Sequence, residues 1–279
     1  NANLGVPRLQ YKIQEPVTAV FTTPAGELWF ATTLQVLKVD GAGNVQLVAG
    51  VRDPGDSGDN GPATDASLTS INSIVVDSAG DLYIADTARN KIRKVSGGTI
   101  RRWAGSGAKT LGADNVDLLL TSFLDIQDIE GDPTGPNLYV ADAGRIRRLG
   151  PPPPMTVGRI NETVAGSSAG ATGSTGDGGA PLAALFKATS GVTVFDDAAQ
   201  PGDTVLVVTD AADHTIRMVN RTANLVTLLA GQHGVSGFDG DQGLPTDRLK
   251  GPARSATGSG ALVFVDAGNL RVRRLTLTQ

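Results

Sequence analysis

The chain has 279 residues, 40% of them apolar, and a formal net charge of −4 with no long run of one sign. That supports a sizeable core in one large domain or two small ones, and it argues against a polyanion-binding surface over the whole domain while leaving room for a local basic patch. Cysteine is absent, which excludes disulfides and thiolate metal sites, and no apolar run approaches the roughly 18 residues needed to span a bilayer.

With 36 glycines and 15 prolines, the composition suits turn-rich β structure. In chain order, the first expected element is a strand in VPRLQYKI, where Leu9, Tyr11 and Ile13 alternate with Arg8, Gln10 and Lys12. Then a hairpin comes five times: GELWFATTLQVLKV from Gly26, GDLYIADTARNKIRKV from Gly80, GPNLYVADAGRIRRL from Gly135, GDTVLVVTDAADHTIRMV from Gly202 and GALVFVDAGNLRVRRL from Gly260. Each is a glycine, an apolar strand, a polar turn and a second strand. Four copies continue into a third element ending in Ala-Gly, at Gly50, Gly105, Gly166 and Gly231, with steps of 55, 61 and 65 residues. An apolar segment also precedes each hairpin, such as SINSIVVDSAG before Asp81.

Each unit therefore supplies four antiparallel strands, A to D in chain order. A sheet apolar on both faces must pack against its neighbour, and radial packing of such sheets is a β-propeller. The expectation is all-β: one five-bladed propeller domain over residues 1–279, with blades at 16–50, 51–105, 106–166, 167–231 and 232–279. The fifth unit runs only to its C strand, so residues 1–15 are expected to supply the strand that closes the last blade. A spiral fragment of a larger propeller is the alternative.

An aspartate ends strand B in four copies (Asp86, Asp142, Asp210, Asp266), and an arginine sits on strand C in the same four (Arg93, Arg147, Arg217, Arg273). The first copy has Thr32 and Leu37 there, so both partners vanish together. A ring of aspartates around a ligand is one reading; a buried Asp–Arg clasp within each hairpin is the one the repetition favours. The connectors from D to the next A read GDNGPATDASL from Gly58, GDGGAPLAALF from Gly176 and GDQGLPTDRLK from Gly240, with a degraded GADNVDLLL from Gly112. Gly-Asp-x-Gly makes a tight turn, with the aspartate bonded to nearby N–H groups. The Asp53–Gly61 loop, with Asp53, Asp56 and Asp59, looks like a calcium loop but lacks the ligand spacing of an EF-hand.

The recurring Gly-x-Leu-Tyr-x-Ala-Asp and Ile-Arg-x-Val, followed by Ala-Gly and Gly-Asp-x-Gly, resemble the NHL-repeat propellers. Residues 80–95 match that pattern at nearly every position, and copy four keeps its histidine as His214. The first copy departs by lacking Asp and Arg, the third by a proline run at Pro151–Pro154, and most members of that family have six blades. The resemblance implies a propeller fold; for function it spans protein- and RNA-binding modules, lyases and cell-surface domains.

Chemistry is scarce. The chain has two histidines, His214 and His233, too few for the multi-histidine zinc site of the lyases that share the fold. His214 is expected to pack the hairpin turn. Aligned A segments bring Thr18, Ser73, Asp125, Gly191 and Arg254 to one position beside Gln127, Asp128 and Thr193, so an Asp125–Arg254 channel plug is expected; Asp128 and Glu130 keep a carboxylate-based hydrolase open. RNA binding would need stacking aromatics with Arg145, Arg147, Arg148, Arg271, Arg273 and Arg274, and aromatics are only 4%.

The reading is a non-enzymatic interaction or structural module without metal or cofactor. It is expected to bind a protein partner, not nucleic acid or a membrane interior, through variable loops on one face: Asp53–Gly61, the proline run, Ala169–Ala180 and Gln232–Gly243. The alternative is a channel-centred, glycosidase-like hydrolase or lyase. A start at Asn1 and the sequons at Asn161 and Asn220 suggest an extracellular or cell-surface protein carrying glycans, with a cytoplasmic location as the alternative.

Overall fold

The computed structural model describes residues 6–7, 12–133, 135–150, 160–196, 204–240, 247–258 and 261–276. Five antiparallel sheets make up nearly all its regular structure. The first contains β1 (Val6–Pro7), β2 (Val17–Thr22), β3 (Leu28–Thr32), β4 (Val36–Val39) and β5 (Asn44–Ala49). The second contains β6 (Ile71–Val76), β7 (Leu82–Asp86), β8 (Lys91–Ser96) and β9 (Thr99–Ala104). The third comprises β10 (Ile126–Gly131), β11 (Leu138–Asp142), β12 (Arg145–Gly150) and β13 (Ile160–Gly166). The fourth comprises β14 (Thr189–Asp196), β15 (Thr204–Asp210), β16 (Thr215–Asn220) and β17 (Leu225–Gly231), and the fifth β18 (Pro252–Gly258), β19 (Ala261–Asp266) and β20 (Arg271–Thr276). The fold is a five-bladed β-propeller of antiparallel meanders. No helix among the described residues is long and apolar enough to cross a membrane.

The chain groups into two compact units, Asn1–Thr110 with Leu118–Leu124, and Leu111–Asp117 with Asp125–Gln279. In the first, Trp29, Ala31 and Val36 pack against Ile71, Ile74 and Ile84, with Ala66 and Leu68 of the connector between them. In the second, Tyr139 and Ile146 meet Val192, Leu206 and Val219, and Val207 and Ile216 meet Leu262 and Phe264. Along β7 and β11 every side chain is buried, and along β15 all but the first, so both faces of these strands are covered, as expected of sheets stacked on sheets.

Two local devices recur. Strand A slips register against strand B just past its first residue, for example between Ile71 and Ser73 and between Ile126 and Asp128. Strand D slips against strand C just before its Ala-Gly, between Ile92 and Arg93 and between Ile216 and Arg217. Such bulges increase local twist and aim side chains next to them. The Ala-Gly ending follows from close approach: Gly50 and Gly105 have φ of 92° and 96°, and a Cβ there would lie 2.1 and 2.3 Å from the Leu34 and Asn90 carbonyl oxygens.

In its described part the opening segment departs from the expectation. Val6 and Pro7 pair with Val45 and Asn44, on the outer edge of the first sheet, and the last sheet holds β18, β19 and β20 among the described residues. The edge of β5 offers a row of backbone groups to pair, and an edge position tolerates Pro7, which has no N–H. Leu9 and Tyr11 lie outside the described residues, and Ile13 is exposed.

Candidate functional site

Each B-strand aspartate is buried and aims at the segment leading into its own strand A. Asp86 accepts from the Thr69 and Ser70 N–H groups at 3.1 and 3.3 Å, and Asp142 from Asp125 at 2.9 Å. Asp210 accepts from Lys187 and Ala188 at 2.6 and 3.0 Å, and Asp266 from Lys250 at 2.8 Å. Burial pushes the carboxyls of Asp86 and Asp210 up against the pull of these N–H groups.

The C-strand arginines reach the same connector from the other side. Arg93 pairs with Asp59 at 2.9 Å and donates to the Ser57 carbonyl at 3.3 Å. Arg147 donates to the Ala113 carbonyl and lies 3.8 Å from Asp114; Arg217 bonds Asp177 at 2.8 Å and the Leu185 and Thr175 carbonyls at 2.9 Å. Arg273 donates to the Gly240 carbonyl at 2.9 Å and pairs with Asp247 at 3.3 Å.

The direct clasp is therefore found in two hairpins only, Arg147–Asp142 at 3.5 Å and Arg273–Asp266 at 3.3 Å. In the third blade Arg145 adds a fork onto Asp142 at 3.0 and 3.3 Å, and burial plus the charge of Arg145 bring the Arg147 guanidinium down to about 10. Arg93 and Arg217 instead take connector aspartates. A guanidinium has five N–H groups, and the connector offers it carbonyls and a carboxylate together. Sequence reasoning missed Asp59, Asp114 and Asp177 in this role, although Asp59 and Asp177 recur in Gly-Asp-x-Gly and Asp114 in its degraded copy.

In the second unit, β10, β14 and β18 run side by side and carry a polar cluster. Arg254 crosses β14 to reach Asp128 at 3.4 Å and the Gln127 carbonyl at 3.2 Å. Asp128 also accepts from the Val192 N–H at 3.1 Å, and Thr193 bonds Ser255 at 2.8 Å. Gly191 leaves the gap, because a Cβ there would stand 3.0 Å from the Arg254 Cα and 3.4 Å from Asp128 Oδ2.

Arg254 thus pairs with Asp128, not with Asp125, whose carboxylate accepts from Gln127 at 2.7 Å. The register explains it: counted from the residue opposite the end of strand B, the bulge brings Ala19, Ser73, Asp128, Gly191 and Arg254 into line. Thr18 sits one residue early, on the bulge, and bonds the Thr32 carbonyl of its own blade at 3.2 Å. Two residues along the same face, burial and the nearby Asp128 charge push the Glu130 carboxyl up to about 8 against the Gly131 N–H.

A third constellation sits at the turn end of the fourth blade. His233 places Nδ1 2.5 Å from Asp213 and Nε2 2.7 Å from Asp177. Asp213 further binds Lys187 at 2.8 Å and Ser174 at 2.6 Å, and Asp177 binds Arg217. Burial lowers the His233 imidazole, but the two carboxylates outweigh it and its pKa lies above the ordinary histidine value. Asp213 is raised by burial and lowered by Lys187, Ser174 and His233, ending below the usual carboxylate range. His214 lies in the hairpin turn with φ of 60° and its Nδ1 accepts from the Gly251 N–H at 3.1 Å.

The remaining expectations fall as follows. Asp56 and Asp59 of the calcium-like loop face Lys91 and Arg93. Asn161 is fully buried and donates to the Val116 carbonyl, so its side chain leaves no room for a glycan; Asn220 is half-buried at the end of β16. The proline run lies outside the described residues.

The connector after β9 is distinctive. Leu119, Leu120 and Leu124 are exposed at 41%, 72% and 37%, where the connector after β5 carries Thr64, Asp65 and Thr69.

No protein-family model matches the chain, and no curated protein matches it. Among solved structures it is similar to an auxiliary nutrient binding protein from Bacteroides thetaiotaomicron, at 16% identity and TM-score 0.62, over 92% of this chain and 68% of that one. A second auxiliary nutrient binding protein, from Bacteroides ovatus, gives 15% identity and TM-score 0.68 over 94% of this chain, which spans 60% of that protein's length. The nidogen/laminin complex gives 14% identity and TM-score 0.60 over 99% of this chain and 88% of that one. At such identities the likeness shows the β-propeller fold.

Proposed function

We propose that the chain is an NHL-type propeller that binds a protein partner through the connector end of its blades, without catalysis, in an extracellular or cell-surface setting. The observation that carries this reading is the leucine cluster at Leu119, Leu120 and Leu124. Exposed apolar groups gathered on one loop mark contact surfaces, and a loop on a rigid sheet scaffold positions them. The nutrient-binding and laminin-complex names of the similar structures support a binding role and an extracellular one. A photo-crosslinking residue at position 120 captures a partner from the native source, competed by unlabelled protein, whereas one at position 79, in the turn at the far end of the second sheet, does not. Equal capture from both positions contradicts the reading.

A second reading has its own observation. Glu130, with its carboxyl pushed up to about 8, and Asp128, paired with Arg254, form the kind of unlike carboxyl pair that acid–base hydrolysis uses. Turnover of chromogenic glycosides that Glu130→Gln abolishes would favour this hydrolase.

A further inference from the structure

His233 stands two residues past the Ala-Gly that ends β17, and both of its ring nitrogens face carboxylate oxygens. Nδ1 meets Asp213, in the turn between β15 and β16, at 2.5 Å, and Nε2 meets Asp177, in the connector leading into β14, at 2.7 Å. An ionised carboxylate has no hydrogen to give, so both nitrogens must donate, and the imidazolium alone carries two N–H groups. A neutral ring would set a lone pair against one of the two oxygens. Each aspartate also keeps a cation on its other oxygen: Arg217 of β16 lies 2.8 Å from Asp177 Oδ1, and Lys187, just before β14, lies 2.8 Å from Asp213 Oδ1. Ser174 donates to the same Asp213 oxygen at 2.6 Å. These partners favour ionised aspartates, so the imidazole is the group that gives up its proton as pH rises. On the segment that carries His233, Asp239 is turned to Arg248.

The first blade fastens the same junction differently. There Arg52 stands two residues past Gly50 and donates to Gln35, in the turn between β3 and β4, at 3.0 Å. A guanidinium keeps its charge at every pH a folded protein meets, whereas histidine changes charge near neutrality. The His233 side chain is 28% exposed, so water reaches the ring. Its neighbour Gly234 is tied to the same turn, donating its N–H to the Asp213 carbonyl at 3.0 Å. We propose that His233 is a pH-operated latch: the imidazolium fastens the segment 232–237 to the fourth blade, and loss of its proton frees that segment while the sheet stays folded. Burial lowers the imidazole, but the two carboxylates outweigh it and hold its pKa above the ordinary histidine value. The latch is therefore complete below about pH 6.5 and is lost as pH rises through the latched-state value. It does not depend on the leucine cluster or on what the chain binds.

Amide hydrogen exchange on the intact chain tests this, with protection expressed against the intrinsic rate at each pH. From pH 6 to pH 9 the protection of the Gly234 amide is expected to fall about tenfold, while that of the β16 amides, Thr215–Asn220, holds. In His233→Gln, which carries no titratable group, Gly234 is expected to be as weakly protected at pH 6 as the unaltered chain is at pH 9. The proposal is overturned if Gly234 protection in the unaltered chain is the same at both pH values, or if β16 loses protection by the same factor. It is equally overturned if the glutamine variant keeps the full protection at pH 6. The ring signals of His233, followed by NMR with His214 as the internal comparison, are expected to titrate above about pH 6.5; titration at or below that value contradicts the latch.

Discussion

The first blade and the fourth differ at two positions that explain each other. In the fourth, Asp210 ends strand B and Arg217 occupies strand C, and both grip the segment that enters strand A: Asp210 through the Lys187 and Ala188 N–H groups, Arg217 through Asp177 and the Thr175 and Leu185 carbonyls. In the first blade Thr32 and Leu37 stand there, and the residues leading into β2 carry no Gly-Asp-x-Gly turn. Leu37 is simply buried with Phe30 and Val45. The two residues disappear together because the connector they hold is of a different kind, not because each needs the other.

That comparison breaks most visibly at Arg217. Arg217→Ala leaves the Thr175 and Leu185 carbonyls without a donor and leaves Asp177 with His233 alone, and a loss of about 3 kcal/mol in chemical denaturation is expected. Leu37→Ala in the first blade removes only packing, so its loss should fall at about 2–5 kcal/mol with no change in the exchange of the residues preceding β2. Gly191→Val tests the polar cluster of the second unit: the added side chain meets Thr209 Oγ1 at 2.8 Å from its Cβ, forces Arg254 from Asp128, and is expected to cost about 1–3 kcal/mol.

His233 sharpens the comparison through pH. Its raised pKa means that its contribution is complete below the ordinary histidine value of about 6.5 and is lost as pH rises through the folded-state value. The lowered pKa of Asp213 acts the other way, with stability present above about 4 and lost as pH falls below it. His233→Gln should therefore cost up to about 1 kcal/mol at pH 6 and less at pH 9, by thermal melts at both. The smallest effect is expected at Leu270, which is 92% exposed and holds φ of 55° in a turn where the second blade has Asn90 at 50°. Leu270→Asn should raise stability by about 0.5 kcal/mol.

The hairpins and the Ala-Gly endings are legible in the sequence because strand alternation and a glycine pressed against a carbonyl leave fixed residue types behind. The inner-strand register is not. A bulge inserts one residue without disturbing the apolar pattern around it, so Asp125 and Asp128 look interchangeable beside Ile126, and only pairing against Asp142 separates them. The role of Asp59, Asp114 and Asp177 was available in principle, since they recur with the arginines. What concealed it is that the hairpin aspartate lies nearer to the arginine in sequence. The exposed leucines after β9 read as a degraded repeat, because sequence alone does not tell a lapsed turn from a contact surface.

The central claim is that the arginines of strand C serve the connectors. Paired double-mutant cycles on the fourth blade test it most directly, one on Arg217 with Asp177 and one on Arg217 with Asp210. The account predicts a coupling of about 1–3 kcal/mol for the first and under about 0.5 kcal/mol for the second; the reverse order would contradict it.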